Sequence, residues 1–220
     1  MNQLWRPPVG RPAALAAFAA LVAFNSPATA QTPSPVGPFV VDARAALATY
    51  PDNAATAEPR GLEATDLPAF GLGIELGGHV YPLRGPVISL GIGATVLWSR
   101  GTRHAESSSD GSERPGVSTT LAAFSPQVSL NFGTARGWSY ISGGLGAASL
   151  SISRDDLPEE DGQTALAINF GGGARWFFRE RLAFSFDLRF YSINGQEPSG
   201  GSLGFPKMTK FVGTVGIAVK

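Results

Sequence analysis

Between Leu166 and Tyr191 the sequence alternates with a strict period of two, and no other feature restricts the possible folds as much. Leu166, Ile168, Phe170, Gly172, Ala174, Trp176 and Phe178 share one parity, and Ala167, Asn169, Gly171, Gly173, Arg175 and Phe177 the other. After the polar Arg179-Glu180-Arg181 the pattern resumes, with Leu182, Phe184, Phe186, Leu188 and Phe190 against Ala183, Ser185, Asp187, Arg189 and Tyr191. Such a segment is an antiparallel hairpin with two chemically different faces. One face is continuously apolar and rich in aromatics; the other carries Gly, Ser, Asn, Asp and Arg with almost no Lys or Glu. A half-buried strand of a soluble sheet turns long charged side chains to water. Small residues with a few charges able to pair describe a cramped polar interior instead. The greasy face then points outward, with lipid as its solvent.

The first thirty residues are read separately from the fold. Arg6 and Arg11 form a basic start, Ala13 to Phe24 an apolar core, and Ala28-Thr29-Ala30 a small-x-small site before Gln31, the pattern of a cleaved secretory signal peptide at 1–30. The apolar run is short of the roughly 20 residues a bilayer-spanning helix needs, and no later run reaches that length. A closed β-barrel is then the remaining way to cross a bilayer, and residues 31–220 are read as that one domain. Removing Arg6 and Arg11 takes the formal charge from 0 to −2, so no basic field for nucleic acid exists. The absence of cysteine excludes disulfides, thiolate metal sites and a Cys nucleophile. Low charge and many aromatics oppose disorder.

In chain order, the alternation gives eight strands. The first covers Val41 to Ala48; the second Phe70 to Val80, ending at a turn over Tyr81 to Pro86; the third Ile88 to Ser99. The fourth runs from Phe124 to Phe132 and contains Pro126, which cannot donate to a ladder, so a bulge or an unpaired donor position is expected there. The fifth, Trp138 to Ser153, shows a phase slip: Ile141 and Leu145 share a parity that Leu150 and Ile152 do not, and a β-bulge would reconcile them. The hairpin already described supplies strands six and seven, and Lys210 to Lys220 the eighth. Connections after odd strands are long and polar (Tyr50 to Asp66, Arg100 to Thr120, Arg154 to Gln163, Ser192 to Lys207), while those after even strands are short. That rhythm is the one shown by outer-membrane barrels, with short periplasmic turns and long external loops. Trp98, Trp138, Tyr140, Trp176 and Phe178 near strand ends are expected to form aromatic girdles.

With signal, strands and loops in this order, the chain resembles the small eight-stranded outer-membrane barrels, the OmpA-like transmembrane domain and opacity-type porin family. The likeness is architectural and rests on pieces such as Tyr140-Ile141-Ser142-Gly143-Gly144-Leu145-Gly146 and the terminal Phe211 to Val219. It implies an all-β, eight-stranded antiparallel up-and-down transmembrane β-barrel in the bacterial outer membrane, surrounded by lipid and lipopolysaccharide and inserted by the barrel-assembly machinery. It brings no catalytic or binding motif. The chain stops after strand eight, without the soluble peptidoglycan-binding domain some members carry. It ends on Val219-Lys220, where members usually place an aromatic residue.

The inward parity collects Asp42, Arg44, Glu75, His79, Arg175, Asp187, Arg189 and Lys210. Charges inside so narrow a barrel must be paired or hydrated, and eight strands leave room for little besides side chains. A salt-bridged plug is expected, with a narrow or gated porin-like ion path as the alternative. The hairpin register places Arg175 opposite Ser185 and diagonal to Asp187, within its reach. Lipid A deacylases and acyltransferases also use eight-stranded barrels, but their chemistry needs a base beside a nucleophile. Here the histidines are His79, on the inward parity, and His104, in the loop segment His104-Ala105-Glu106-Ser107. No catalytic site is expected. The acidic run Asp155, Asp156, Glu159, Glu160 and Asp161 lacks the fixed spacing of a calcium loop. No helix pattern follows Gly171-Gly172-Gly173, so these are strand glycines rather than a phosphate loop. No metal and no cofactor are expected. A secreted lipocalin-like ligand-binding barrel remains the rival fold, but its exterior would lack the Lys and Glu that keep strands soluble. The sequence therefore reads as an envelope barrel with a structural or surface-interaction role, whose partner binds through the long loops.

Overall fold

The computed structural model describes residues 34–50, 53–107, 113–157 and 161–220. The expected signal peptide and its boundary at Gln31 lie outside the described residues, as do Glu159 and Glu160 of the acidic run. Eight long strands form the wall: β1 (Phe39–Thr49), β2 (Phe70–Arg84), β3 (Ile88–Arg103), β4 (Val117–Thr134), β5 (Gly137–Arg154), β6 (Asp161–Phe177), β7 (Leu182–Ile193) and β8 (Met208–Val219). Each pairs antiparallel with its sequence neighbours, and β1 pairs with β8, so the sheet closes into an up-and-down barrel with no free edge. Along most of the wall the backbone groups pair with the adjacent strands, the condition for crossing hydrocarbon without helices.

Side-chain parity separates two solvents. In β1 the residues alternate between exposed and buried without exception from Phe39 to Ala48, with Asp42 and Arg44 among the buried ones. The outward residues are large and apolar, for example Ile74, Phe170, Phe184 and Val215, each more than half exposed. Outward rings pack across strands, as Phe170 does with its register partner Phe190 at 5.3 Å between ring centres. That surface is a continuous apolar band.

The strands run further than the alternation alone indicated, and three expectations change. Tyr81 belongs to β2 and not to a turn: a register shift between Val80 and Leu83 carries the strand on to Arg84, and the Tyr81 ring is buried inside the barrel. Arg100–Arg103 and Val117–Thr120 extend β3 and β4, and Glu106–Ser107 pairs with Glu113–Arg114 to shorten the second long loop further. At Pro126 the expected unpaired donor position is found, without a bulge. β4 keeps one register against β5 on both sides of it, with only Ser125 and Pro126 left unpaired, because the ring removes a donor without displacing the chain.

The third correction concerns the phase of β5. Its register against β6 is continuous from Gly137 to Ile152, so no bulge exists. Leu150 and Ile152 share the inward parity of Trp138 and Tyr140, and all four are buried. Trp138 and Tyr140 therefore leave the expected girdle, whereas Trp98, Trp176 and Phe178 remain on the outer face. What looked like a slip is a change in the chemistry of the interior.

Three layers fill the lumen. At the short-turn end Val36, Val40, Tyr81, Trp138, Tyr140, Ala183 and Ala218 pack together, with Phe177 stacked on Trp138 at 5.0 Å. A polar layer follows. Above it, toward the long loops, Leu97, Leu121, Leu150, Ile193, Val212 and Phe205 join small alanines in a second apolar layer.

Candidate functional site

The polar layer is built from parity and from glycine. Asp42 and Arg44 come from β1, Glu75 and His79 from β2, Arg175 from β6, and Asp187 and Arg189 from β7, all on inward positions. Across the sheet, the long residues face very small ones. Asp42 stands opposite Gly77, Arg44 opposite Gly216, Asp187 opposite Gly173 and Arg189 opposite Gly171. At Gly173 a Cβ would meet the Tyr140 hydroxyl at 2.8 Å and the Phe186 carbonyl oxygen at 2.0 Å, so only glycine leaves Tyr140 its place.

Two carboxylates organise the arginines. Arg175 donates from Nε to Asp42 Oδ1 at 2.9 Å and from Nη2 to Oδ2 at 2.6 Å, a bidentate pair, and Ser185 donates to the same Oδ1 at 2.8 Å. Arg189 grips Asp187 in the same way, at 3.1 and 2.9 Å, and also donates to Asn169 Oδ1 at 2.6 Å and to Ser142 Oγ at 2.7 Å. Arg44 and Tyr140 join the two groups. Arg44 Nη1 donates to the Tyr140 hydroxyl at 2.9 Å, and that hydroxyl donates to Asp187 Oδ2 at 2.8 Å. Arg44 also lies 3.5 Å from Asp42 and 3.1 Å from Glu75, the second contact without the alignment of a hydrogen bond. The Arg175 guanidinium lies 4.3 Å from the Tyr140 ring centre. Three arginines and three carboxylates leave the layer formally neutral.

Seven of the eight inward charged residues are thus brought together, and one is not. Arg175 does stand opposite Ser185, but it takes Asp42 across the lumen rather than the diagonal Asp187, which Arg189 occupies. A guanidinium extended into the lumen reaches the far wall, whereas Arg189 lies on the same strand and face as Asp187, two residues away. His79 sits within the layer, and neither ring nitrogen bonds a protein group. Lys210 lies apart in the upper apolar layer, with Nζ 5.0 Å from the Tyr50 ring centre. Among the described residues no carboxylate lies within 4 Å of it.

Sequence reasoning missed Tyr140, Ser142, Asn169 and Ser185 as members of the layer, although their inward parity was readable. It had no signal at all for the rim above. There Arg60 of the first long loop pairs with Asp161 at the start of β6 and donates to the Gly204 carbonyl of the fourth loop at 2.7 Å. Arg154 donates to the Arg60 carbonyl at 2.5 Å and to both oxygens of Asp156. Arg114 in the second loop pairs with Glu63 and Asp66 in the first, each at 3.1 Å. Asp156 and Asp161 are therefore arginine partners. Among the described residues no group of three or more His, Asp or Glu is placed to hold a metal ion. His104 is exposed, and His79 is shut inside the wall.

Residues 16–216 match the family model described as outer membrane protein beta-barrel domain. Among solved structures, the chain is similar to Neisserial surface protein A, with 15% identity, a TM-score of 0.52, and 84% of this chain and 97% of that one covered. The outer membrane protein OprG of Pseudomonas aeruginosa aligns over 86% of this chain and 98% of its own, with 13% identity and a TM-score of 0.45. Ail of Yersinia pestis, crystallised with the heparin analogue sucrose octasulfate, aligns over 82% and 96%, with 11% identity and a TM-score of 0.48. No curated protein matches the sequence.

Proposed function

This chain belongs to the outer membrane protein β-barrel family, and on that premise we propose that it acts as a closed scaffold whose four long loops contact another surface, without catalysis or solute conduction. Its place is the bacterial outer membrane, with lipid against the apolar face of the strands. One observation carries the reading. The neutral ionic layer is closed on the short-turn side by Trp138, Tyr81 and Phe177, and on the loop side by Leu97, Leu121, Leu150 and Val212. An ion would have to shed its water twice in apolar surroundings and displace bidentate pairs between them. A path for ions is the reading this opposes.

The loops, by contrast, are cross-tied. Arg60, Arg114 and Arg154 connect them into a rim, a preorganised surface for a partner. In this reading the rim faces outward, residues 1–30 are removed on export, and residues 31–220 are delivered by the barrel-assembly machinery into a lipopolysaccharide-bearing leaflet. Planar-bilayer recording of the refolded chain tests the closed interior. Silence is expected from the native chain, and a steady conductance that changes in Arg175→Ala or Arg189→Ala would establish a pore instead. Shortening the loops tests the other half: partner or cell-surface binding is lost while the heat-modifiable mobility of the folded barrel stays.

A further inference from the structure

The two ends of the barrel use their arginines differently. At the rim Arg60, Arg114 and Arg154 each hold a carboxylate. At the opposite end Arg136, in the turn between β4 and β5, and Arg179 and Arg181, in the turn between β6 and β7, are exposed, and among the described residues none of the three makes a salt bridge. These two turns stand side by side. The Phe177 N–H donates to the Arg136 carbonyl at 3.0 Å, and the Phe178 and Arg179 N–H groups both donate to the Leu182 carbonyl, at 3.1 and 3.2 Å, which closes the second turn tightly. Next to them on the outer face lie Trp176, Phe178 and Phe184, each more than half exposed, with the Phe178 and Phe184 rings 4.8 Å apart. Trp176 is the register partner of Phe184 on one side and of Gly137, the neighbour of Arg136, on the other. Glu180 is the one carboxylate side chain in the two turns. Three uncompensated guanidinium groups thus border one aromatic patch.

We propose that this sector binds an anionic glycerophospholipid of the leaflet at the short-turn end, with Arg136, Arg179 and Arg181 on its phosphate and Trp176, Phe178 and Phe184 against its acyl chains. Depth supports this occupant. Arg179 follows directly on Phe178, and a strand advances about 3.3 Å per residue, so the guanidinium groups stand just beyond the apolar band, at the level of the headgroups. Chemistry supports it as well, because a guanidinium is weakly hydrated and presents paired donors that match phosphate oxygens. Charge selects among lipids. A zwitterionic headgroup brings its own ammonium to a surface that already carries an excess of cations, whereas an anionic one does not, and cations close to a membrane surface draw anionic lipid toward them. The site rests on the barrel crossing a membrane and is independent of whether the long loops bind a partner.

The test uses the full chain refolded into vesicles of phosphatidylglycerol and phosphatidylcholine in equal parts, with bromine on the acyl chains of one lipid or the other. In Trp5→Phe/Trp98→Phe the lipid-facing fluorophore is Trp176, since Trp138 is buried in the lumen. Brominated phosphatidylglycerol is expected to quench it severalfold more effectively than brominated phosphatidylcholine. That preference should disappear when Arg136→Gln, Arg179→Gln and Arg181→Gln are combined, and should weaken as salt is added. Trp98, on the outer face toward the loop end of β3, is the control: in Trp5→Phe/Trp176→Phe it should show no preference that depends on the three arginines. Equal quenching of Trp176 by the two lipids overturns the proposal, and so does a preference that survives the loss of all three arginines. Heat-modifiable mobility reports whether the triple variant folds; if it does not, the proposal stands or falls on whether salt removes the preference in the chain with its arginines intact.

Discussion

Halfway up the lumen the inward face carries Asp42, Arg44, Glu75, Arg175, Asp187 and Arg189; two to eight residues nearer the long loops along β1, β6 and β7 it carries Ala46, Ala48, Ala167, Tyr191 and Ile193. Parity is unchanged, the strands are the same and burial is equally complete, yet the chemistry reverses. In the middle, walls are joined by directional bonds across the lumen, with Asp42 reaching Arg175 and Arg44 reaching Tyr140. At the loop end they are joined by contact between apolar side chains, which has no direction. The first device fixes the barrel in one arrangement, because each donor has one acceptor. The second excludes water, and so keeps the first strong.

Removing a carboxylate from the middle should have the largest effect. Asp42→Ala leaves Arg175 with neither bond of its bidentate pair and takes one partner from Arg44 and from Ser185. Breaking a buried pair in this way costs about 3–5 kcal/mol, measurable by reversible unfolding in urea with lipid vesicles. Pairing Asp42→Ala with Arg175→Leu should recover much of the loss, because no charge at position 175 is then left uncompensated. If the double variant is as unstable as the single, the layer is held by more than mutual neutralisation.

Next comes the loop-end layer. Leu121 is fully buried there, and Leu121→Ala should cost about 2–5 kcal/mol through lost transfer energy and the cavity left behind. Its cost should not be recovered by any second substitution among the charges, since a gap has no opposite sign. The two layers are then separate units, and the losses in Asp42→Ala/Leu121→Ala should add to within about 0.5 kcal/mol. Strong coupling in that cycle would show that the apolar layer acts mainly by shielding the charges below it.

The outer face provides the third contrast. Phe186 and Ser185 are neighbours in β7 with opposite parity, Phe186 toward lipid and Ser185 within reach of Asp42 and Arg44. Phe186→Arg should cost about 2–4 kcal/mol near the bilayer midplane, although two guanidinium groups sit comfortably on the inner side of the same hairpin. Arginine is tolerated where carboxylates await it and not where lipid does. A neutral outcome in vesicle refolding would mean that this part of the strand lies at the interface.

Those contrasts also explain what was readable in the sequence. Alternation fixes which residues share a face, so the eight strands, the closed barrel and the inward position of His79 and of all six charges of the layer were legible. Pairing was not, because Asp42 and Arg175 are 133 residues apart and meet only when the barrel has closed, across a lumen that the local register does not describe. The upper apolar layer was hidden for another reason. Leu150 and Ile152 are apolar on the inward parity, and a rule that assigns apolar residues to lipid turns them into a bulge. Trp138 and Tyr140 were misplaced by the same rule, since an aromatic ring at a strand end serves a girdle or a plug equally well.

The smallest effect is expected at the rim, where the pairs resemble those of the middle in geometry but not in surroundings. Arg154 donates to Asp156 from Nε at 2.9 Å and from Nη2 at 2.5 Å, as bidentate as Arg175 on Asp42, but the Asp156 side chain is 49% exposed. The hydrogen bonds from Arg154 hold the Asp156 carboxyl below its usual 3.8. A carboxyl lowered in the folded state contributes where pH exceeds its unfolded value, and the contribution fades as pH falls through the lower folded one. Between pH 8 and 5 the pair should therefore be constant, and its loss at more acid pH should leave the barrel folded. Titration of the Asp156 carboxyl by NMR is expected to show a midpoint below 3.8 that returns to the ordinary range in Arg154→Gln, and Asp156→Asn should leave the urea midpoint where it is, because water and salt already screen a pair so exposed. If Asp156→Asn instead destabilised the barrel as strongly as Asp42→Ala, hydrogen-bond geometry alone would set the worth of these arginine pairs, and the apolar layer that separates the rim from the lumen would have no part in it.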